Sequence, residues 1–474
     1  MRKHFQQQLS LGVTPISEVE IYPNTRDHMA NLLAALKYIF ITPKWNKQIF
    51  KLLEANIQST KKKTGRNGMS LWEIFVLAQT RLCMNIGYDQ LHNFSNYHIL
   101  LRGIMGVQKG YFNEGKQYTY QNIYDNISLL DDDLLKEINA IILKVGHEIF
   151  KKKSSELSLK TDSFVVETAT RFPTDYSLLW DSIRKSLDII EKLGLPKWRK
   201  SKDWRRKLKS LMREVGRISS KGGQNKEERL IKSAQTYLHK TNNLKKKLEE
   251  VLNYEFTDLK KLELQIELLY YHEMLLKHIN LIERRLINCE KIPHSEKLIS
   301  IFQPFVEMIN KGKRNVEIGK KLVITTEENN LIVDWEICTK KSDSEVLIPI
   351  IDRILSKHKI KRLSVDKGFS SKENKELLSL YIEKVIMPKK GKLNKSEKEE
   401  ERETQFKKYR KKHSAIESNI NELEHRGLNK CPDRKESNFN RYIGLACISY
   451  NLHKIGQYIS RKKAKSNITL KRSA

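Results

Sequence analysis

Apolar residues recur at every third and fourth position through Met29–Phe40, Leu71–Cys83 and Leu134–Phe150, which predicts a mainly helical region over residues 1–150. A basic loop, Thr60 to Gly68, carries Lys61, Lys62 and Lys63 between two of these helices. Asp131–Asp133 stand where a helix N-terminus favours negative charge. At 157–167 the period falls to two: Leu159, Thr161, Ser163 and Val165 alternate with Lys160, Asp162, Phe164 and Val166, the pattern of a strand. A proline-containing turn over 170–182 then leads into helix. From about 183 to 294 the chain is rich in lysine and leucine. It has no proline between Pro196 and Pro293, and Gly216, Gly222 and Gly223 are the only glycines there. The expectation is two or three long helices, broken near Gly222-Gly223, forming a hairpin or coiled-coil insertion.

Strand patterns return at Asn315–Thr326 and Leu331–Cys338, with the polar turn Glu327-Glu328-Asn329-Asn330 between them. Helix is expected at about 344–357 and 371–380, and strand at about 361–366 and 383–387. A charged loop, Lys389–Glu403, precedes a helix through Glu417, for which Gly427 is a stop. An amphipathic helix, Phe439–Ile459, closes the pattern. The tail from Asn451 holds seven Lys/Arg and no acid, and reads as a frayed basic arm. With the helical block removed, the order predicts an α/β fold, a mixed sheet flanked by helices and compatible with an RNase H-like core. The expected division is a helical domain at 1–150 for DNA binding or dimerisation, a catalytic domain in two parts at 151–182 and 295–460, the helical insertion at 183–294, and a basic tail at 461–474. In such a core, the strand with Asp162 and the strand ending at Asp366 lie side by side.

The 89 Lys and Arg against 57 Asp and Glu give a formal charge of +32 over 474 residues, which points to a polyanionic partner held through counterion release. Lysine-rich coding bias is the plain alternative. Hydrophobic content of 39% fits a globular chain, not a disordered one. Five scattered cysteines without a C-x-x-C argue against a disulfide framework or zinc ribbon and for a reducing cytoplasm. No signal-peptide core or membrane-length apolar run is found. Within the insertion, residues 197–213 hold nine basic residues, Arg205 and Arg206 among them, with Trp198 and Trp204, a composition suited to phosphates and exposed bases. The two indoles equally suit a core.

Around Glu417, counting by threes and fours gathers Arg410, His413, Asn421 and Glu424 on one helix face, beside an apolar stripe of Ile416, Ile420 and Leu423. A carboxylate among cations on a packed helix, with two isolated aspartates at strand positions, is the donor set of a metal-dependent polynucleotidyl transferase. Magnesium takes hard oxygen ligands, and two ions would serve the attacking and leaving oxygens of a phosphodiester. Asp162 would bridge, with Asp366 and Glu417 each completing one ion. Glu167, Asp175, Asp334 and Glu336 compete as acids. Asp334 and Glu336 are expected to face the insertion or solvent, and Lys367 and Lys389 lie beside the acidic segments.

The segments TDSFVVETATRFPTDYSLLWDSIR, RLSVDKGFSSKEN, VIMPKKGK and HSAIESNINELEHRGLNKCPDR resemble those of bacterial insertion-sequence transposases of the DDE class, in particular the ISNCY type. The resemblance spans roughly residues 65–455. It implies an RNase H-like catalytic domain, Mg²⁺ or Mn²⁺, and double-stranded DNA partners: terminal inverted repeats and target DNA. It also implies a homodimer or higher synaptic oligomer working at the bacterial nucleoid, away from membranes. The family triad falls on Asp162, Asp366 and Glu417. Where relatives carry tyrosine, arginine and lysine around the glutamate, this chain has Arg410, His413 and Glu424, so phosphate contacts fall to Arg410 and His413. A non-catalytic DNA-binding derivative and a simple metal-dependent nuclease are the competing functions.

Overall fold

The computed structural model describes residues 13–23, 25–58, 68–108, 115–152, 156–195, 198, 201–293, 296–310 and 316–473. Lys61, Lys62 and Lys63 lie outside them. The chain divides into two units, residues 1–169 with 309–474, and residues 170–308.

The first unit begins with helices α1 (His28–Ile41), α2 (Pro43–Gln58), α3 (Leu71–Cys83), α4 (Tyr88–Tyr97), α5 (Ile99–Met105), α6 (Tyr120–Ile127) and α7 (Asp132–Ile149). Asp131 caps α7 by accepting from Leu134 N, as the acidic run predicts. Strand β1 (Leu157–Thr168) follows, and after the second unit come β2 (Glu307–Asn310), β3 (Val316–Thr326) and β4 (Ile332–Cys338). Then come α12 (Asp343–Leu355), β5 (Ile360–Val365), α13 (Lys372–Tyr381), β6 (Lys384–Ile386), α14 (Lys395–Arg402), α15 (Thr404–Leu423), β7 (Lys430–Cys431) and α16 (Glu436–Ser473). The second unit supplies α8 (Asp175–Leu193), α9 (Ser201–Ser220), α10 (Lys226–Leu252) and α11 (Leu259–Ile282).

The described strands form one seven-stranded mixed sheet in the order β2-β3-β1-β5-β6, with β4 on β3 and β7 on β1. β3 runs antiparallel to β1, whereas β5 is parallel to β1 and β6 parallel to β5. The α/β class, the helical N-terminal region and the helical insertion are therefore as the sequence predicts. On one side of the sheet, α12 and α13 cover Leu157, Leu159, Val323, Leu363 and Val365 with Leu347, Ile350, Ile351 and Leu378.

Three local expectations change. The charged loop 389–403 contains α14, because Asn394 and Glu397 form a reciprocal capping box that outweighs the mean polarity. The tail continues as helix to Ser473 and is not a frayed arm. Nor is α16 amphipathic between Phe439 and Ile455: Leu445, Cys447, Ile448, Tyr450, Leu452 and Ile455 are fully buried, since α1, α3 and α7 pack on the helix along with β4. Buried Asn451 and Asn139 join these layers. Asn451 accepts from Ile332 N (2.8 Å) and donates to Asn139 Oδ1 (2.8 Å), satisfying the first residue of β4. Gly456 lets α16 approach the backbone of α1: a Cβ there would overlap Asn31 O. Gly456→Ala should cost about 3 kcal/mol, read as a lower urea midpoint with an unchanged slope.

A second buried polar group ties α1 to α16. Arg426 Nη2 donates to His453 Nδ1 (2.8 Å), leaving Nε2 to carry the proton toward His28 Nδ1 (3.2 Å). Burial, then the charge of Arg426, depresses the His453 pKa to about 2. A histidine kept neutral in the fold and free to protonate when unfolded near 6.5 contributes stability that is complete above pH 6.5 and lost as pH falls toward 2. Between pH 7 and pH 5 the loss should be about 2 kcal/mol. Urea unfolding of wild type and His453→Gln at both pH values checks this, the variant showing the smaller drop.

In the second unit, α8 to α11 enclose Leu187, Ile190, Tyr237, Leu244, Leu268, Leu275 and Ile282. The break at 221–225 matches the glycine pair, but there are four helices around a shared core in place of a two- or three-helix coiled coil. Trp198 and Trp204 pack against this core, and Lys240 lies 4.8 Å over the Trp204 ring. No helix of the described residues is long and apolar enough to cross a membrane.

Candidate active site

β1 is pinned on both sides. Thr161 is opposite Thr325 of β3, their hydroxyls 2.9 Å apart, and opposite Val365 of β5. The next residues, Asp162 and Asp366, therefore leave the parallel ladder side by side. Asp366 lies just beyond β5, not within it, and opens a 3-10 turn at Lys367–Phe369 whose Phe369 is fully buried. That buried ring anchors the turn while Asp366 itself stays exposed.

α15 packs across β1, β5 and β6. Ile416, Asn419 and Leu423 are buried, and Tyr450 of α16 donates to Asn419 Oδ1 (2.9 Å). This leaves Glu417 on an exposed flank. The helix ends in a π turn, Glu424–Leu428, in which Gly427 takes φ 103°, so the predicted stop is at the expected glycine.

Asp162 feels the charge of both other acids. Burial raises the Asp162 pKa to about 6, helped by repulsion from Asp366, Glu417 and Asp343 and opposed by the Ser163 amide, which donates to Asp162 Oδ1 (2.7 Å). Asp343 is the residue that sequence reading misses. It opens α12 beside the Ser342–Glu345 capping box and so reads as a helix-terminal charge. In the fold it pairs with Lys321 of β3 (2.8 Å) and lies against Gly368 of the turn after Asp366.

Three carboxylates of hard-oxygen chemistry, one of them with its proton stabilised by the others, suit a divalent cation, whose charge would offset their repulsion. Among the described residues, however, no group of three or more His, Cys, Asp or Glu side chains is spaced to hold an ion. The donors match a hard cation in kind, while their side chains stand wider apart than direct coordination by all three requires.

The neighbouring cations differ in availability. His413 is half-buried, with both ring nitrogens enclosed; burial lowers its pKa against the pull of Asp366 and of the Ser364 backbone. Arg410 is exposed and 3.6 Å from Glu401. Lys389 pairs with Glu397 (2.6 Å). In the helical unit, Arg205 is held by Asp188 (2.7 Å), whereas Arg206 is 77% exposed beside Asp203.

The competing acids are engaged elsewhere. Arg353 of α12 binds both Asp334 (2.7 Å) and Glu336 (2.8 Å), so this pair faces a helix of its own layer and not the insertion or solvent. Asp175 pairs with Arg285 within the helical unit (2.7 Å). Glu167 lies where β1 meets β7.

Comparison with curated proteins and with solved structures gives no match. A family model does match, over residues 296–452, and its description is a transposase DDE domain. The matched stretch contains Asp366 and Glu417, with Asp162 upstream of it. Over that part of its length, about a third of the chain, the sequence is similar to the transposase DDE domain family.

Proposed function

We propose that this protein is a DNA transposase of the ISNCY type, with Asp162, Asp366 and Glu417 as its catalytic carboxylates in an RNase H-like core. The observation that supports the reading is the placement of Asp162 on β1, Asp366 directly after the adjacent parallel strand β5, and Glu417 on the helix packed across both. The order β3-β1-β5-β6, antiparallel and then parallel, supports the core assignment. The substrates are double-stranded element ends with inverted repeats and then target DNA, bound by a homodimer or larger assembly at the bacterial nucleoid.

Asp162 and Asp366 at the sheet and Glu417 on α15 would hold Mg²⁺ or Mn²⁺, drawing their side chains closer together as they did so. When bound, the ions supply activation of the attacking oxygen and stabilisation of the leaving oxygen. The strands paired on either side of β1 fix where the Asp162 side chain leaves the sheet. His413, on the same face of α15 as Glu417, is the second phosphate contact that the resemblance implies, and because both its ring nitrogens are buried it would have to turn outward to make that contact. Arg410, on the same helix face, becomes available to the backbone when it leaves Glu401.

The test is cleavage and joining of labelled element-end DNA by purified protein with Mg²⁺. Joined product with end specificity supports the transposase. Cutting without joining indicates a nuclease, and binding without either reaction on authentic ends indicates a non-catalytic DNA-binding protein.

A further inference from the structure

A second feature lies on the same domain but on a different stripe of α15 from the one bearing Arg410, His413 and Glu417. It is a cleft of about 410 Å³ between that helix and the first halves of β1 and β5. This is within the size range of small-ligand pockets. Its floor is sheet: Lys160 with its neighbours from β1, and Arg362 with its neighbours from β5. Tyr409, Lys411 and Lys412 line it from α15, and Glu328 from the turn between β3 and β4.

Charge in the cleft is strongly one-sided. Four cations, Lys160, Arg362, Lys411 and Lys412, face one acid, Glu328, which already has Lys152 at 3.6 Å. Lys160 is half-buried, and its ammonium is directed by a hydrogen bond to Asn330 Oδ1 (3.2 Å). Asn330 is itself approached by Asn419 Nδ2 of α15 (3.4 Å), so the lysine's position is tied to the helix that roofs the cleft. The guanidinium of Arg362 lies 4.6 Å from the Tyr409 ring centre, and Lys412 5.7 Å from it. An aromatic ring stacked with a guanidinium presents a flat, partly apolar wall beside mobile positive charge. A phosphate alone would need only the cations, and an acidic peptide has no use for the flat wall. A planar base joined to a phosphate uses both.

We propose that this cleft binds one nucleotide unit of a nucleic-acid strand, its phosphate on Lys160 and Arg362 and its base against Tyr409. The choice of a nucleotide over other phosphoesters rests on the transposase reading. The site would grip a strand away from the carboxylates, giving α15 two points of hold on DNA.

The probe is deoxyadenosine 5′-monophosphate, titrated into the full-length protein in EDTA and followed by ligand-observed NMR. Saturable binding is expected. Arg362→Ala should weaken it about tenfold through loss of a charge-assisted contact. Tyr409→Leu should weaken it about fivefold while leaving inorganic phosphate binding unchanged. Lys411→Glu, at an exposed position that leaves the fold intact, should weaken both ligands and carries the test if either other variant unfolds. No saturable nucleotide binding, equal binding by Arg362→Ala, or a glutamate-rich peptide that displaces the nucleotide would overturn the proposal. The assay contains neither divalent metal nor element ends. Nucleotide binding without strand transfer therefore discards the transferase reading alone, and strand transfer without nucleotide binding discards the cleft.

Discussion

Asp366→Asn is expected to abolish DNA cleavage and joining while leaving DNA binding intact. The amide keeps the shape of the side chain and its place at the head of the 3-10 turn, but removes the negative charge that a divalent ion needs. Loss of several kcal/mol of transition-state stabilisation corresponds to a rate reduction of about 10³-fold or more. Folding should move the other way. Asp366 is exposed and is one of the charges that repel Asp162, so its neutralisation relieves strain between like charges. The variant should unfold at the same temperature as wild type or slightly higher in EDTA. Product formation on labelled ends, a DNA-binding isotherm and a thermal melt together check this. A variant that cleaves at the wild-type rate would remove Asp366 from the catalytic set, and one that melts early would assign it a structural part.

That pairing of lost activity with retained stability also marks where sequence was informative. β1 could be read because one residue in two faces a covered side, and Asp162 stood out as an acid on the half-open side. α15 could be read because Ile416 and Leu423 keep a helical period, which leaves Glu417 on the remaining face. The α16 helix misled, since residues buried all round lose the one-sided pattern that amphipathicity needs. α14 was hidden for the opposite reason: it has no buried residue, and only the Asn394–Glu397 box signals it. Asp343 and the Arg353 partners of Asp334 and Glu336 depend on which helix crosses which strand, and local spacing holds no record of that. The tyrosine–arginine wall of the cleft is likewise assembled only when α15 meets β5.

The same limit applies to the contact expected to matter most for stability, between residues far apart in the chain. Arg81, 3% exposed in the last turn of α3, donates from Nη1 to Asp433 Oδ2 (2.9 Å) and from Nη2 to Asp433 Oδ1 (2.6 Å). The rings of Tyr88 and Tyr442 lie 4.1 and 5.3 Å from the guanidinium carbon. Asp433 sits in the short connection between β7 and α16, so this fork joins the N-terminal helices to the edge of β1 where β7 pairs. Asp433→Ala would leave a guanidinium buried and uncompensated, and arginine does not escape by losing its proton. The cost should be about 3–5 kcal/mol, visible as a large fall in urea midpoint. Replacing both partners with apolar residues, Arg81→Met with Asp433→Leu, removes the charge together with its partner and should cost less than the single change. If the double variant is instead as damaged as Asp433→Ala, the fork holds α16 in register against α3 through its geometry, and its charge balance is secondary.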